Sequence, residues 1–135
     1  MTSKSLLRVV TATLIVAVMG GGAVVPITEV CAAQLQMSFS QDVFPIFRGW
    51  CISCHQPGGE GYEKSGLDLT TYQGLMKGTK YGPVVVPGQS FISDLMVLLD
   101  WRAAPEVRMP HGQKQLSSCD RNAIRDWIQE GAKNN

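Results

Sequence analysis

The sequence predicts an all-α fold of four or five short helices. Apolar side chains recur at helical spacings of three and four in several short segments, each preceded by a residue able to cap a helix. Only residues 82–88 have a β-like pattern, and one such segment alone makes no sheet. The length of 135 residues suits one domain. The formal charge of +1 argues against a nucleic-acid binder, which would show a basic excess.

The first 33 residues are typical of a secretory signal peptide. Lys4 and Arg8 introduce a long uncharged apolar run, and small residues just before position 34 suit cleavage. Two alternatives are an uncleaved membrane anchor over residues 6–25 and a lipid on Cys31. All three interpretations export the chain to an oxidising compartment, which we expect to be a bacterial periplasm. The remaining domain is then residues 34–135.

The first helix of this domain is predicted to begin near Ser40 or Asp42, either of which can cap it. Pro45 is tolerated in the first turn. Side chains at spacings of three and four are expected to share one face of this helix: Phe44, Phe47, Cys51 and Cys54. Residues 56–62 are rich in glycine and proline, which predicts a loop.

Two further helices are predicted in the middle of the domain. Thr70 or Thr71 is expected to cap a short helix that stops at Gly78. Ser90 is expected to cap the next helix, which runs from Phe91 to about Trp101.

The last helix follows a loop over residues 103–115. Ser117 and Asp120 have the spacing of a capping box, and Gly131 is expected to stop the helix. The apolar face of this helix is predicted to be Ile124, Trp127 and Ile128.

The segment Cys51-Ile-Ser-Cys54-His55 carries the most specific chemical signal in the chain. The pattern C-x-x-C-H is typical of covalent attachment of haem c. Thiols three residues apart lie on one side of a helical turn, and the imidazole follows beside them, ready to bind the iron. A zinc site would need further ligands, and a thioredoxin-like redox pair would need a βαβ context. The sequence predicts neither.

Several residues after this motif can supply a second axial ligand to the iron. Met76 and Met96 fall among leucines at helical spacing, which favours packing in the core. Met109 lies in a loop before Pro110, which biases its backbone towards an extended form from which the thioether can project. We therefore expect Met109 to be the distal ligand, with His111 as the alternative.

In the order of its motifs the chain resembles class I c-type cytochromes, and most closely the bacterial planctomycete-type cytochrome c domain. The segments that carry the resemblance are Phe39-Ser-x-Asp42-Val-x-Pro45-Ile-Phe47, Cys51-x-x-Cys54-His55, Gly66-Leu-x-Leu69-x-x-Tyr72, Gly82-Pro-Val-Val-Val-Pro87-Gly88, Arg108-Met109-Pro110 and Trp127-Ile-x-x-Gly131-Ala132. The resemblance implies a single haem, His55 as proximal ligand, Met109 as distal ligand, and terminal helices that pack together. The family usually has a proline or a small residue where His111 stands, so the His111 alternative stays open.

An iron with both axial positions filled by the protein favours electron transfer over catalysis. We expect an exported mono-haem cytochrome that carries single electrons between redox partner proteins and has no catalytic residue. One alternative is a haem c subunit fixed in a larger respiratory or oxidoreductase complex. Another is a small haem enzyme or gas-binding cytochrome with a labile sixth ligand. Contact with a membrane is expected only if the leader is retained.

Other residues carry weaker signals. Cys119 is expected to pack as a small buried hydrophobic residue, although a bridge to Cys31 could form if the leader is retained. Arg108 is the arginine best placed to pair with a haem propionate, but solvation at the surface is the expected outcome. The aromatic residues that can line the haem or fill the core, with core filling expected for each, are Trp50, Tyr81, Trp101 and Trp127.

Overall fold

The computed structural model describes residues 36–135 and, over this range, confirms an all-α fold without β-strands. The α-helices are α1 (Phe44–Trp50), α2 (Glu60–Ser65), α3 (Tyr72–Lys77), α4 (Asp94–Leu99) and α5 (Ser118–Gln129). A π-helical turn, Phe39–Val43, leads into α1, and short 3-10 turns occupy Ser90–Ile92 and Pro105–Val107.

The predicted leader falls outside the described residues. The signal peptide over the first 33 residues, the anchor over residues 6–25 and the lipid on Cys31 therefore stay predictions. Among the helices of residues 36–135, none has the length and apolar character needed to cross a membrane.

The first helical segment begins earlier and ends earlier than predicted. Ser38 caps it, because its hydroxyl accepts a hydrogen bond from the Gln41 amide at 3.3 Å. Helix α1 ends at Trp50, so Cys51 and Cys54 lie in the turn that follows rather than on the helix itself.

The loop predicted over residues 56–62 is present over residues 56–59, but residues 60–62 form the first turn of α2. This first turn is held by tertiary contacts with the turn after α1, where the Tyr62 amide donates to the Cys54 carbonyl at 2.9 Å. Gly59 permits this approach, because a Cβ there would lie 2.4 Å from the Cys54 carbonyl oxygen. The glycines allow close packing and do not interrupt the helix.

The boundaries of α3 match the prediction, whereas those of α4 do not. Thr71 caps α3, accepting from the Gly74 amide at 3.0 Å, and Gly78 ends it with φ +80°. The next predicted helix is interrupted at buried Ser93, whose hydroxyl accepts from the Val86 amide at 2.9 Å. That contact with the preceding loop delays the start of α4.

Ser117 caps α5 as predicted, although only half of the predicted capping box forms. The Ser117 hydroxyl accepts from the Asp120 amide at 3.0 Å and donates to the Asp120 carboxylate at 2.9 Å. The helix ends at Gln129, and Gly131 follows with φ +103°. The buried face is the predicted one: Ile124, Trp127 and Ile128.

Cys119, in the first turn of α5, is disulfide-bonded. The expectation that it packs simply as a small hydrophobic residue is therefore wrong. The bridge to Cys31 that we considered involves a residue outside the described part of the chain.

The π-helical turn Phe39–Val43 packs against α5, as the resemblance to cytochromes c implied. Phe39 is the centre of this contact, and its ring centroid lies 5.2–6.5 Å from those of four neighbours: Phe44, Phe47, Tyr72 and Trp127. Hydrogen bonds from Phe39 and Ser40 to Asn135 close the same face. This core holds the turn after α1 against the rest of the fold.

Candidate functional site

A cavity of about 530 Å³ is bounded by the turn after α1, by α2, by α4 and by the loop before α5. Its wall brings together Cys51, Cys54, His55, Met109 and His111. Most of the remaining wall is apolar and includes Leu67, Leu69, Val84, Leu95, Leu98 and Leu99. The volume falls within the range of about 300–1,000 Å³ that is common for cofactor pockets.

The two thiols differ in their exposure to solvent. A turn holds both, because the amides of Cys54 and His55 donate to the Cys51 carbonyl at 3.1 and 3.0 Å. Neither forms a disulfide. Cys54 is exposed, whereas burial, with a smaller effect of nearby Cys54, raises the pKa of Cys51 to about 12. Cys51 is therefore a protonated thiol at neutral pH.

The imidazole of His55 is packed tightly but lacks a good hydrogen-bond partner. Burial lowers the pKa of His55, and an interaction with the Leu67 backbone partly opposes this effect. That interaction is weak, because the buried Nδ1 atom makes no hydrogen bond of good geometry. Gly61 of α2 lies directly against the ring. His55 thus enters the cavity as a neutral imidazole with unused bonding capacity.

Met109 is attached through its backbone to the end of α4. Its amide donates to the Leu98 carbonyl at 3.2 Å, and its carbonyl accepts from the Trp101 indole nitrogen at 3.0 Å. The side chain is half-buried and packs against the hydrophobic core. The Met109–Pro110 peptide bond is cis.

His111 also lines the cavity, but it is exposed at the rim. It lies within electrostatic reach of Glu60 on α2. A hydrogen bond from Lys64 lowers the pKa of that carboxyl, and His111 makes a smaller contribution in the same direction. Met76 and Met96 lie away from the cavity wall, and Met96 is fully buried in the core.

Two expectations about neighbouring residues need correction. Tyr81 does not fill the core, because it is 82% exposed and lies on the cavity wall, which Trp50 also lines. Arg108, expected to be solvated at the surface, is instead partly buried, and its Nε donates to the Ala103 carbonyl at 3.0 Å; it does not line the cavity.

Sequence reasoning missed Gly61 beside the site, and it named Trp101 only as a residue of the core or the haem lining, without its hydrogen bond to Met109. The contact of Gly61 with His55 follows from α2, whose first turn was predicted as part of a loop. The bond from Trp101 to Met109 links two loops, and no local pattern indicates it.

The helical fold and the similarity of residues 51–111 to a family model support a cytochrome c-type domain. Residues 51–111 match the family model described as Planctomycete cytochrome C, from the first cysteine of the motif to His111. The match points to a haem c protein and to electron transfer. None of the curated proteins and none of the solved structures matches the chain.

The residues present fit a covalently attached haem. Two free thiols, an imidazole with an unpartnered buried nitrogen, and a thioether line one mostly apolar cavity. A metal ion held directly by protein side chains is not supported in residues 36–135, which contain no suitable group of three His, Cys, Asp or Glu residues.

Proposed function

We propose that this chain is a mono-haem c-type cytochrome that carries single electrons between redox partner proteins. The observation that carries the proposal is the convergence of Cys51, Cys54, His55 and Met109 on one cavity. The cysteines would hold the haem through thioethers, His55 would be the proximal ligand and Met109 the distal ligand. When bound, the haem supplies an iron that alternates between the ferrous and ferric states.

The residues around the cavity suit a site whose structure changes little when a bound iron is oxidised or reduced. Buried Leu67, Leu69 and Val84 give the cavity an apolar wall. An apolar site with His and Met ligands favours the reduced state relative to bis-histidine ligation. The hydrogen bonds of the Met109 amide and carbonyl fix the backbone from which its thioether projects. Electron transfer benefits from such rigidity because little rearrangement accompanies each step.

Covalent attachment is tested by replacing Cys51 and Cys54 together with alanine. The wild-type protein is expected to keep a c-type haem spectrum after denaturation, and the double variant is expected to lose its haem under the same conditions. Ser53→Ala, a change at an exposed position in the same turn, serves as the matched control and should keep its haem. Retention of haem by the denatured double variant would contradict the proposed attachment.

The distal ligand is tested by comparing Met109→Ala with His111→Ala. Methionine ligation produces a weak far-red sulfur-to-iron band in the oxidised protein. We expect Met109→Ala to abolish this band and His111→Ala to preserve it. A wild-type protein without the band, in which His111→Ala and not Met109→Ala changes the haem spectrum, would instead assign the distal position to His111. Rapid binding of carbon monoxide to the reduced wild-type protein would favour a gas-binding or enzymatic role over electron transfer.

Export is part of the proposal. Cytochrome c-type domains are typically exported, and the first 33 residues have the pattern of a signal peptide. N-terminal sequencing of the purified protein should find a start near Gln34. A start at Met1 would instead favour a retained anchor and a subunit fixed at the membrane.

A further inference from the structure

Helix α4 is followed by a backbone conformation that aromatic residues rarely adopt. Trp101 has φ +57°, in the left-handed region where a Cβ crowds its own backbone. A residue stays in such a conformation only where its surroundings require it. The contacts of the Trp101 side chain should therefore show what the conformation serves.

These contacts lead to the loop that carries Met109. The Trp101 indole N–H donates to the Met109 carbonyl at 3.0 Å, and the Met109 amide donates to the Leu98 carbonyl at 3.2 Å. Both polar groups of the Met109 backbone are thus bonded to the end of α4. Leu98 also lines the cavity, so the attachment ties the loop directly to the cavity wall.

Arg108 restrains the indole further. Its guanidinium lies 5.6 Å from the centroid of the Trp101 ring, and its Nε donates to the Ala103 carbonyl at 3.0 Å. The arginine beside Met109 is therefore used to hold the loop rather than to line the cavity.

We propose that Trp101 is a positioning residue for Met109. Its indole fixes the Met109 backbone so that the thioether projects into the cavity that His55 also lines. Trp101 itself does not line the cavity, so it acts on the site through Met109. The proposal rests on the proposed ligation by Met109.

Trp127 makes the same kind of hydrogen bond elsewhere. Its indole donates to the Lys133 carbonyl at 2.8 Å, and its side chain is fully buried in the core. Trp127→Phe therefore removes an equivalent bond away from the cavity and is the matched control for Trp101→Phe.

The test uses the haem-loaded protein and two competing ligands, imidazole for the oxidised state and carbon monoxide for the reduced state. Trp101→Phe keeps an aromatic ring but loses the N–H donor. We expect it to weaken the far-red band, tighten imidazole binding and speed carbon monoxide binding. Each of the two binding effects should be roughly two- to tenfold, the change that one hydrogen bond of ordinary net strength produces. Trp127→Phe should lower the urea midpoint and leave ligand binding unchanged.

The outcomes separate this proposal from the one on which it rests. A far-red band and ligand affinities that are the same in Trp101→Phe and wild type would overturn the role of Trp101 alone. A wild-type protein without the band would overturn ligation by Met109, and this proposal with it.

A second measurement needs no variant. In the wild-type protein, imidazole should increase the hydrogen-exchange rate of the Trp101 indole N–H while that of Trp127 stays slow. Unchanged exchange at Trp101, with imidazole bound, would contradict a link between the indole and the ligand loop.

Discussion

At the scale of single residues, the orientation of His55 depends on the absence of a side chain at Gly61. A Cβ on Gly61 would lie 2.8 Å from Cε1 and 3.0 Å from Nδ1 and Nε2 of the imidazole. The distance to Cε1 is shorter than real Cβ contacts and the other two are tighter than most of them, so either the ring or α2 would have to move. A ring that moves leaves the position from which it faces the cavity.

We therefore expect Gly61→Ala to destabilise the protein by about 1–3 kcal/mol, the usual cost of overpacking. Urea unfolding measures this change, and the haem absorption spectrum should shift with it. Gly49→Ala in α1 is the matched control, because a Cβ there meets no atom within 4 Å. Equal effects of the two substitutions would argue against the contact with His55.

At the scale of helices, the parts of the fold that depend on local chemistry were predictable. Thr71 and Ser117 cap the helices that follow them, and Cys51, Cys54 and His55 are a sequence motif. Helix α2 was missed because its glycines are used for packing against a distant turn. The bond between Trp101 and Met109 was missed because it depends on how two loops meet in space.

Helices α4 and α5 are joined through Asp100. Its carboxylate accepts from Arg125 at 2.8 Å and lies 3.3 Å from the Nε atom of Arg121, while its side chain is only 19% exposed. Two arginines on α5 thus share one mostly buried counter-charge at the end of α4. This pairing holds α4, which carries part of the cavity wall, against α5.

Asp100→Asn is expected to lower the free energy of unfolding by about 1–3 kcal/mol, because both guanidinium groups lose their counter-charge. Urea unfolding checks this. Glu60→Gln is the comparison, because the Glu60–Lys64 pair is exposed on both sides and should leave the urea midpoint unchanged. A midpoint for Asp100→Asn equal to that of wild type would show that the pairing does not stabilise the fold.

At the scale of the whole molecule, the aromatic cluster around Phe39 joins the first and last helical segments. Phe39 is 5% exposed and contacts rings from α1, α3 and α5. Its removal would leave a hole at the point where three helices meet.

We expect Phe39→Ala to cost about 3–5 kcal/mol of stability, the range for large buried aromatic residues. Phe91→Ala provides the contrast, because Phe91 is 75% exposed and its main partner is Arg102 at 4.5 Å. That change should cost less than about 1 kcal/mol. Thermal denaturation of the two variants measures the difference, and similar melting temperatures would contradict the central role of Phe39.

The hydrogen bonds between the segment before α1 and the C-terminal segment join residues far apart in the chain. The Met37 amide bonds to Glu130, and the Asn135 amide bonds to the Met37 carbonyl, across separations of 93 and 98 residues. Closing so long a loop costs conformational entropy before any of these contacts stabilises the chain. The domain is therefore expected to fold in one cooperative step, after most of its chain is available. Phe44, Phe47 and Tyr72 are synthesised soon after Phe39, but the contact of Phe39 with Trp127 can form only once α5 has been synthesised.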